Sequence, residues 1–219
     1  MNDLILNEID TRLRSEFKAY TGYTKFDDII TWHGITEAEA APVVAAVEAE
    51  AETLALNAAR AEAVAQILAA LAAFPGQVFN AGPEKLAIYE RKQALVNSWS
   101  GEGIPSKPQV EWEGDWSQRA EFTANGWVAA EALGRKFKCA SAGDLWATWE
   151  LNTALSNYLD EQSEPLRTRA QADIAAATDA AAVQAVAAQF AAALAALPTA
   201  FVSTAAPGLI AASGLTMLD

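Results

Sequence analysis

The sequence predicts a mainly α fold: helical hairpins or a bundle, with a small tryptophan-rich, turn-rich α+β insert and an extended C-terminal arm. Apolar side chains recur every three or four residues through both halves of the chain, the spacing of one helix face. Six of the seven tryptophans fall within residues 99–149, among glycines and prolines. No charged residue occurs at any of the 39 positions from Ala180 to Leu218, in a chain where 20% of residues are charged.

The first helix is expected over about residues 3–20. Ile5, Ile9, Leu13 and Phe17 step by four, with Tyr20 three further on; Asn2 or Asp3 can cap it, and Thr21-Gly22 ends it. The second, over about 37–74, opens on Thr36 with Glu39 at capping-box spacing, and Pro75-Gly76 reads as its stop. Pro42 implies either a kink or a start at Ala41. Val47, Leu54, Ala61 and Leu68 are seven apart, and Val44, Ala51, Ala58, Ala65 and Ala72 form a second, mostly alanine row. Such a heptad seam accepts a helix of the same chain or of a neighbour. A third helix is expected over about 83–97. These elements make residues 1–98 an N-terminal helical region.

Residues 99–143 form the tryptophan-rich unit. Val110-Glu-Trp112-Glu alternates apolar and charged residues, and Gly114-Asp115 reads as a hairpin turn leading to Trp116 and Phe122. Residues 144–197 return to helix. Ser141 with Asp144 caps a run carrying Leu145, Trp149, Asn152, Leu155 and Leu159 on roughly one face, ending near Gln162 and restarting at Ser163-Glu-Pro165. After a break at Thr178-Asp179, Val183, Val186, Phe190, Leu194 and Leu197 line the last helix, and Pro198 reads as its end. Sixteen of the twenty-eight residues from Ala170 to Leu197 are alanine, so this helix forms readily but has few large anchors. Residues 198–219 are left as the uncharged arm.

A formal net charge of −13, with the 15 Lys and Arg scattered, argues against nucleic acid and against an anionic membrane surface. The acidic start, whose apolar run is three residues, lacks the basic region and apolar core of a secretory signal. Cys139 is the lone cysteine, which excludes an internal disulfide and reads as inert. His33 is the only histidine and reads as an ordinary turn residue, so no zinc site is expected. Phosphate-loop, dinucleotide, nucleophile-elbow and metalloprotease motifs do not occur. No cofactor, metal or catalytic residue is expected.

The one place for ligand chemistry is the predicted hairpin. Glu111 and Glu113 share a strand face with Trp112 and Trp116 close by, an arrangement that can stack and bind a sugar or, with two differentiated acids, hydrolyse one. Acids two apart on an exposed strand share one solvent, however, so neither is pushed toward the raised pKa that hydrolysis needs. The other reading is a solvated acidic face over a tryptophan core.

The uncharged C-terminal stretch admits three readings. As a membrane span, Ala180 to Leu197 is weak: it contains Gln184 and Gln189, depends on alanine and has no basic flank after Arg169. A flexible tail fits only Phe201 to Asp219, where Pro207, Gly208 and Gly214 interrupt any helix. The favoured reading is burial against other subunits, copies of this chain included, through Val183, Val186, Phe190, Leu194, Leu197, Phe201, Leu209, Ile210, Leu215, Met217 and Leu218.

Residues 169–186, RAQADIAAATDAAAVQAV, resemble alanine-rich helical segments of bacteriophage tail and tail-fibre-associated proteins, in which an A-A-x-T break precedes an A-x-V-x-A-V helix. The resemblance covers under a tenth of the chain and contains no catalytic residue. It implies a virion structural role in tail, baseplate, fibre or neck, with assembly in the host cytoplasm. An assembly chaperone and the saccharide-binding protein are the alternatives.

Overall fold

The computed structural model describes residues 3–26, 29–98 and 124–218. Among these residues the protein is mainly α, with seven helices and two small antiparallel sheets. In chain order the elements are α1 (Asp3–Glu16), β1 (Gly22–Phe26), β2 (Ile29–His33), α2 (Glu37–Ala49), α3 (Ala51–Val78) and α4 (Pro83–Ser98). Then come β3 (Val128–Ala132), β4 (Arg135–Cys139), α5 (Ala142–Ala176), α6 (Ala180–Thr204), α7 (Ala206–Ser213) and β5 (Thr216–Met217). Two compact units result: Met1–Gln66 with Ala172–Ala187, and Ile67–Gln171 with Ala188–Asp219.

In the first unit, the four-residue steps of α1 bury Ile5, Ile9 and Leu13 against Ala40, Val43 and Val47 of α2, with Tyr20 in the same cluster. The expected capping box starts α2. Thr36 Oγ1 accepts from the Glu39 backbone N–H at 3.3 Å, and the Glu39 carboxylate accepts from the Thr36 N–H at 2.7 Å. The Thr36 N–H, with the Thr36 hydroxyl donating to the same carboxylate at 2.7 Å, holds the Glu39 carboxyl below its ordinary range. Beyond α1 the Tyr20 hydroxyl donates to Asp10 at 2.8 Å, while Arg14 donates to both Asp10 oxygens at 2.7 and 3.2 Å. At the far end of the unit, Arg60 donates to the carbonyls of Ala175 and Ala177 at 3.1 and 2.8 Å. This supplies partners to carbonyls that the end of α5 leaves open, and Asp179 caps the start of α6 by accepting from the Ala182 N–H at 2.8 Å.

In the second unit, β3 and β4 form a hairpin whose two turn residues, Leu133 and Gly134, both have positive φ (55° and 69°). A leucine there costs about 1–2 kcal/mol. The Asn152 amide of α5 offsets it, accepting from the Leu133 N–H at 3.1 Å and donating to the Glu131 carbonyl at 3.2 Å. Phe137 and Cys139 of β4 are fully buried, and burial, with the Asp144 carboxylate second, pushes the Cys139 thiol up to about 11.

Several expected boundaries move. The first helix stops at Glu16 and not near residue 20, and a β1–β2 hairpin occupies residues between the first two expected helices, for which the sequence predicts no element. Tyr, Thr, Ile and Trp there favour pleated backbone. His33 ends β2, its ring nitrogen 2.6 Å from the Thr24 hydroxyl. The long second helix is two, α2 and α3, meeting at Glu50. Pro75, Pro165 and Pro198 do not end helices. Each lies inside one, since a proline removes a single N–H and the turn beyond it still closes, as in Phe79 N–H to Pro75 C=O at 3.0 Å. The C-terminal arm is therefore not extended: α6 continues to Thr204, α7 follows, and β5 adds to the β4 edge with Phe137 opposite Met217. The expected hairpin at residues 110–122 lies outside the described residues.

Two outcomes follow from the first unit. Gly34 has φ +87°, and a Cβ there would lie 1.8 Å from the Ala19 carbonyl oxygen, so Gly34→Ala is expected to cost at least about 2 kcal/mol in urea unfolding. The Arg14 hydrogen bond, with that from Tyr20, holds the Asp10 carboxyl below its ordinary value of 3.8. Its contribution to stability is complete above that value and is lost as pH falls through the lower folded value. Tyr20 is raised above its ordinary 10.0, first by burial and then by Asp10, so its contribution is complete below 10.0 and is lost as pH rises toward the folded value. Thermal melts across pH should show both edges, and Asp10→Asn should flatten the acid one.

Candidate functional site

The second unit holds a cleft of about 560 Å³ walled by the end of α3, by α4, by β3 and by α5. Its formation is traceable to α5. Leu151, Leu155 and Leu159 are buried at four-residue steps, whereas Thr148, Asn152, Ser156 and Asp160, also at steps of four, line the cleft. The helix thus carries a polar stripe beside its apolar one. On β3, Ala129 and Ala130 leave the space open.

An amide network fixes α4 against α5. Ser156 Oγ donates to Gln93 Oε1 at 3.0 Å, Gln93 Nε2 to Asn157 Oδ1 at 3.0 Å, and Asn157 Nδ2 to Asn97 Oδ1 at 3.1 Å. Phe79 and Tyr89 form one wall, their ring centroids 5.6 Å apart. Trp149 forms another, its ring carrying the Lys92 ammonium at 4.5 Å and standing 6.0 Å from Trp146. Lys85 lies 5.6 Å over Tyr89. Desolvation raises the Asp160 carboxyl. Among the described residues no histidine or cysteine lines the cleft, and the Ser156 hydroxyl donates to the Gln93 amide oxygen. Among the described residues no group of three or more His, Cys, Asp or Glu is placed to hold a metal ion.

The residues expected to meet a partner separate into two sets. Val183 (0% exposed), Phe190 (4%), Leu194 (3%) and Phe201 (3%) are buried within the chain itself, which corrects their reading as partner anchors. The reason is helical phase: with Ala187 they form one stripe, and that stripe faces inward. Phe201 stacks 5.2 Å from Tyr158 of α5. Val186, Leu197, Ile210, Leu215 and Leu218 are half-buried, and Leu209 and Met217 are exposed. Glu111, Trp112, Glu113 and Trp116 lie outside the described residues.

What α6 leaves outside is alanine. Ala181, Ala185, Ala188, Ala192, Ala195 and Thr199 are all exposed at steps of four and three. On α3, Ala61, Ala65, Leu68 and Ala72 do the same, so the later half of the expected seam is uncovered. Both helices are long and apolar enough to cross a membrane, with mean hydropathy of 1.3 for α3 and 1.8 for α6, yet only 17% and 22% of their apolar windows are buried. Comparison with known protein families, curated proteins and solved structures finds no match to this chain.

Phe201→Ala is expected to destabilise the isolated protein by about 3–5 kcal/mol in denaturant titration, because it empties an internal site. Leu209→Ser, on the exposed side of α7, should change stability by less than about 0.5 kcal/mol.

Proposed function

We propose that this chain is a non-enzymatic structural subunit of a larger assembly, in contact with copies of itself and with other subunits through the outward faces of α3 and α6. The observation that carries this reading is the pair of long, apolar, largely uncovered helices, each with an exposed row at heptad spacing that is mostly alanine, Leu68 of α3 being the large exception. Small side chains at that spacing let a second helix approach closely. The α6 face is uncharged, so nothing in it repels an identical face. Phe26 (74% exposed) and Ile29 (69%), paired across β1 and β2, add a second uncovered apolar point. A protein neighbour is preferred to a membrane because α6 has its large residues turned inward and presents alanine, threonine and glutamine outward. Alanine is a poor anchor in hydrocarbon. The resemblance of residues 169–186 to phage tail proteins supports one assembly as the proposal: a bacteriophage particle, in its tail, baseplate, fibre or neck.

Analytical ultracentrifugation of the full chain should show mass rising with concentration across the micromolar-to-millimolar range. The variant Ala188→Glu with Ala195→Glu, both outward positions, should keep its helical circular dichroism and stay monomeric. A wild type that is monomeric throughout, or that floats with lipid vesicles, would sink the proposal. Mass spectrometry of purified particles should find the chain in them; its presence in lysate but not in finished particles would transfer the role to an assembly chaperone.

A further inference from the structure

We propose that strand β4 docks a second copy of this chain, its Lys136 and Lys138 meeting Glu48 and Glu52 at the α2–α3 junction of that copy. This contact presupposes the assembly of copies proposed above and adds a polar, directional seam to it. Arg135, Lys136 and Lys138 fall within four consecutive residues, in a chain whose 15 Lys and Arg are outnumbered by 28 Asp and Glu. All three are exposed, and none makes an ion pair among the described residues. Strand alternation turns Phe137 and Cys139 into the core and leaves Lys136 and Lys138 together on the opposite face. Glu131 stands opposite Lys136 in the ladder without closing an ion pair. The Lys138 ammonium lies 5.7 Å over the Trp127 ring, and Arg135 donates to Met217 Sδ at 3.3 Å. The strand is thus a locally basic surface whose charges find no carboxylate at home.

Carboxylates are unevenly placed between the two compact units. The first holds 14 Asp and Glu against 5 Lys and Arg, the second 14 against 10. Within the first unit Glu8 and Glu50 are taken by Arg12, Asp10 by Arg14, and Glu39 by the cap of α2. Glu48 and Glu52 are exposed, make no ion pair among the described residues and stand four apart. Like charges at that helical spacing repel each other, and a cation from outside relieves the repulsion. The spacings also agree. Two lysines on one strand face are about 7 Å apart, and two glutamates one helical turn apart are separated by about 6 Å along the axis, so two pairs can close together. A copy carrying net charge −13 is repelled on average and least where unpaired lysines face its carboxylates. Patches of opposite sign on one chain therefore let identical copies join through unlike surfaces.

Sedimentation of two full-length charge variants tests this contact. Lys136→Glu with Lys138→Glu, and separately Glu48→Lys with Glu52→Lys, change exposed positions only and should keep the helical circular dichroism of the wild type. Each alone should associate about tenfold more weakly than the wild type. Mixed in equal amounts, the two should recover wild-type mass, because opposite charges then face each other at both contacts. The second variant is the stringent one. It lowers the net negative charge, so it would associate more strongly if charge acted only by keeping copies apart. Carbodiimide coupling of an equal mixture of isotopically light and heavy wild-type chains should join Lys136 or Lys138 of one to Glu48 or Glu52 of the other. Unchanged association in either variant, or a mixture as weak as its components, overturns the inference and leaves the α3 and α6 seams standing; a wild type that is monomeric throughout overturns both.

Discussion

The inward row of large side chains on α6 is the constraint on which the C-terminal half depends. A helix that is mostly alanine gains little by burial, because each alanine offers one methyl group, and its order must come from contacts elsewhere. Val183, Phe190, Leu194 and Phe201 supply those contacts at helical spacing. Their phase fixes everything else about the segment. With the bulky stripe turned in, the outward face is left to Ala181, Ala185, Ala188, Ala192, Ala195 and Thr199. The same phase carries the chain past Thr204 into α7 and to the β4 edge, where Leu218 N–H reaches the Lys136 carbonyl at 2.9 Å.

Within the ion-free stretch of 39 residues, Val183, Phe190, Leu194 and Phe201 are covered, whereas Leu209 and Met217 are exposed. The cover comes from the same chain. Periodicity shows which side chains of a helix share a face, but not whether that face meets its own chain or another, so Phe190 and Leu194 were legible as anchors without being legible as internal ones. Local signals held where the deciding atoms are neighbours in sequence: the Thr36 and Glu39 box, the Thr178-Asp179 break and the limits of α4. Proline misled, because a helix whose flanking turns are packed outlasts the loss of one N–H, as at Pro165 within α5. The cleft left one trace, the polar steps Thr148, Asn152, Ser156 and Asp160 beside a leucine row. What makes that stripe a site is Phe79, Tyr89 and Ala130 arriving from distant positions, and spacing along one helix carries no information about them.

Polar groups set the geometry of the second unit as much as apolar ones do. Asn152 holds the β3–β4 turn through both of its amide atoms, and the Ser156, Gln93, Asn157 and Asn97 chain fixes α4 to α5. Such networks are favourable only when each member is satisfied, since a half-paired amide costs more than an apolar contact. Along the network every amide oxygen named accepts a bond.

The energetics of the alanine faces also constrain how a subunit built this way would associate. Each buried methyl contributes roughly 0.8 kcal/mol, so the six outward positions of α6 offer roughly 5 kcal/mol from one side and roughly twice that when two copies meet. Association itself costs about 4–15 kcal/mol in lost freedom. A single such contact is therefore marginal, and a lone pair of chains would dissociate readily. Were both exposed rows, one on α3 and one on α6, to take partners as proposed, the chain would escape that limit by being at least bivalent. Each added subunit then raises the local concentration for the next contact, and many weak seams hold where one does not. Two seams per chain also permit a ring or a stacked array as well as a closed dimer, because the row on α3 is not a copy of the row on α6. Weak, repeated, uncharged contacts of this kind would suit the proposed subunit, whose net negative charge would keep copies apart until enough were gathered in one place.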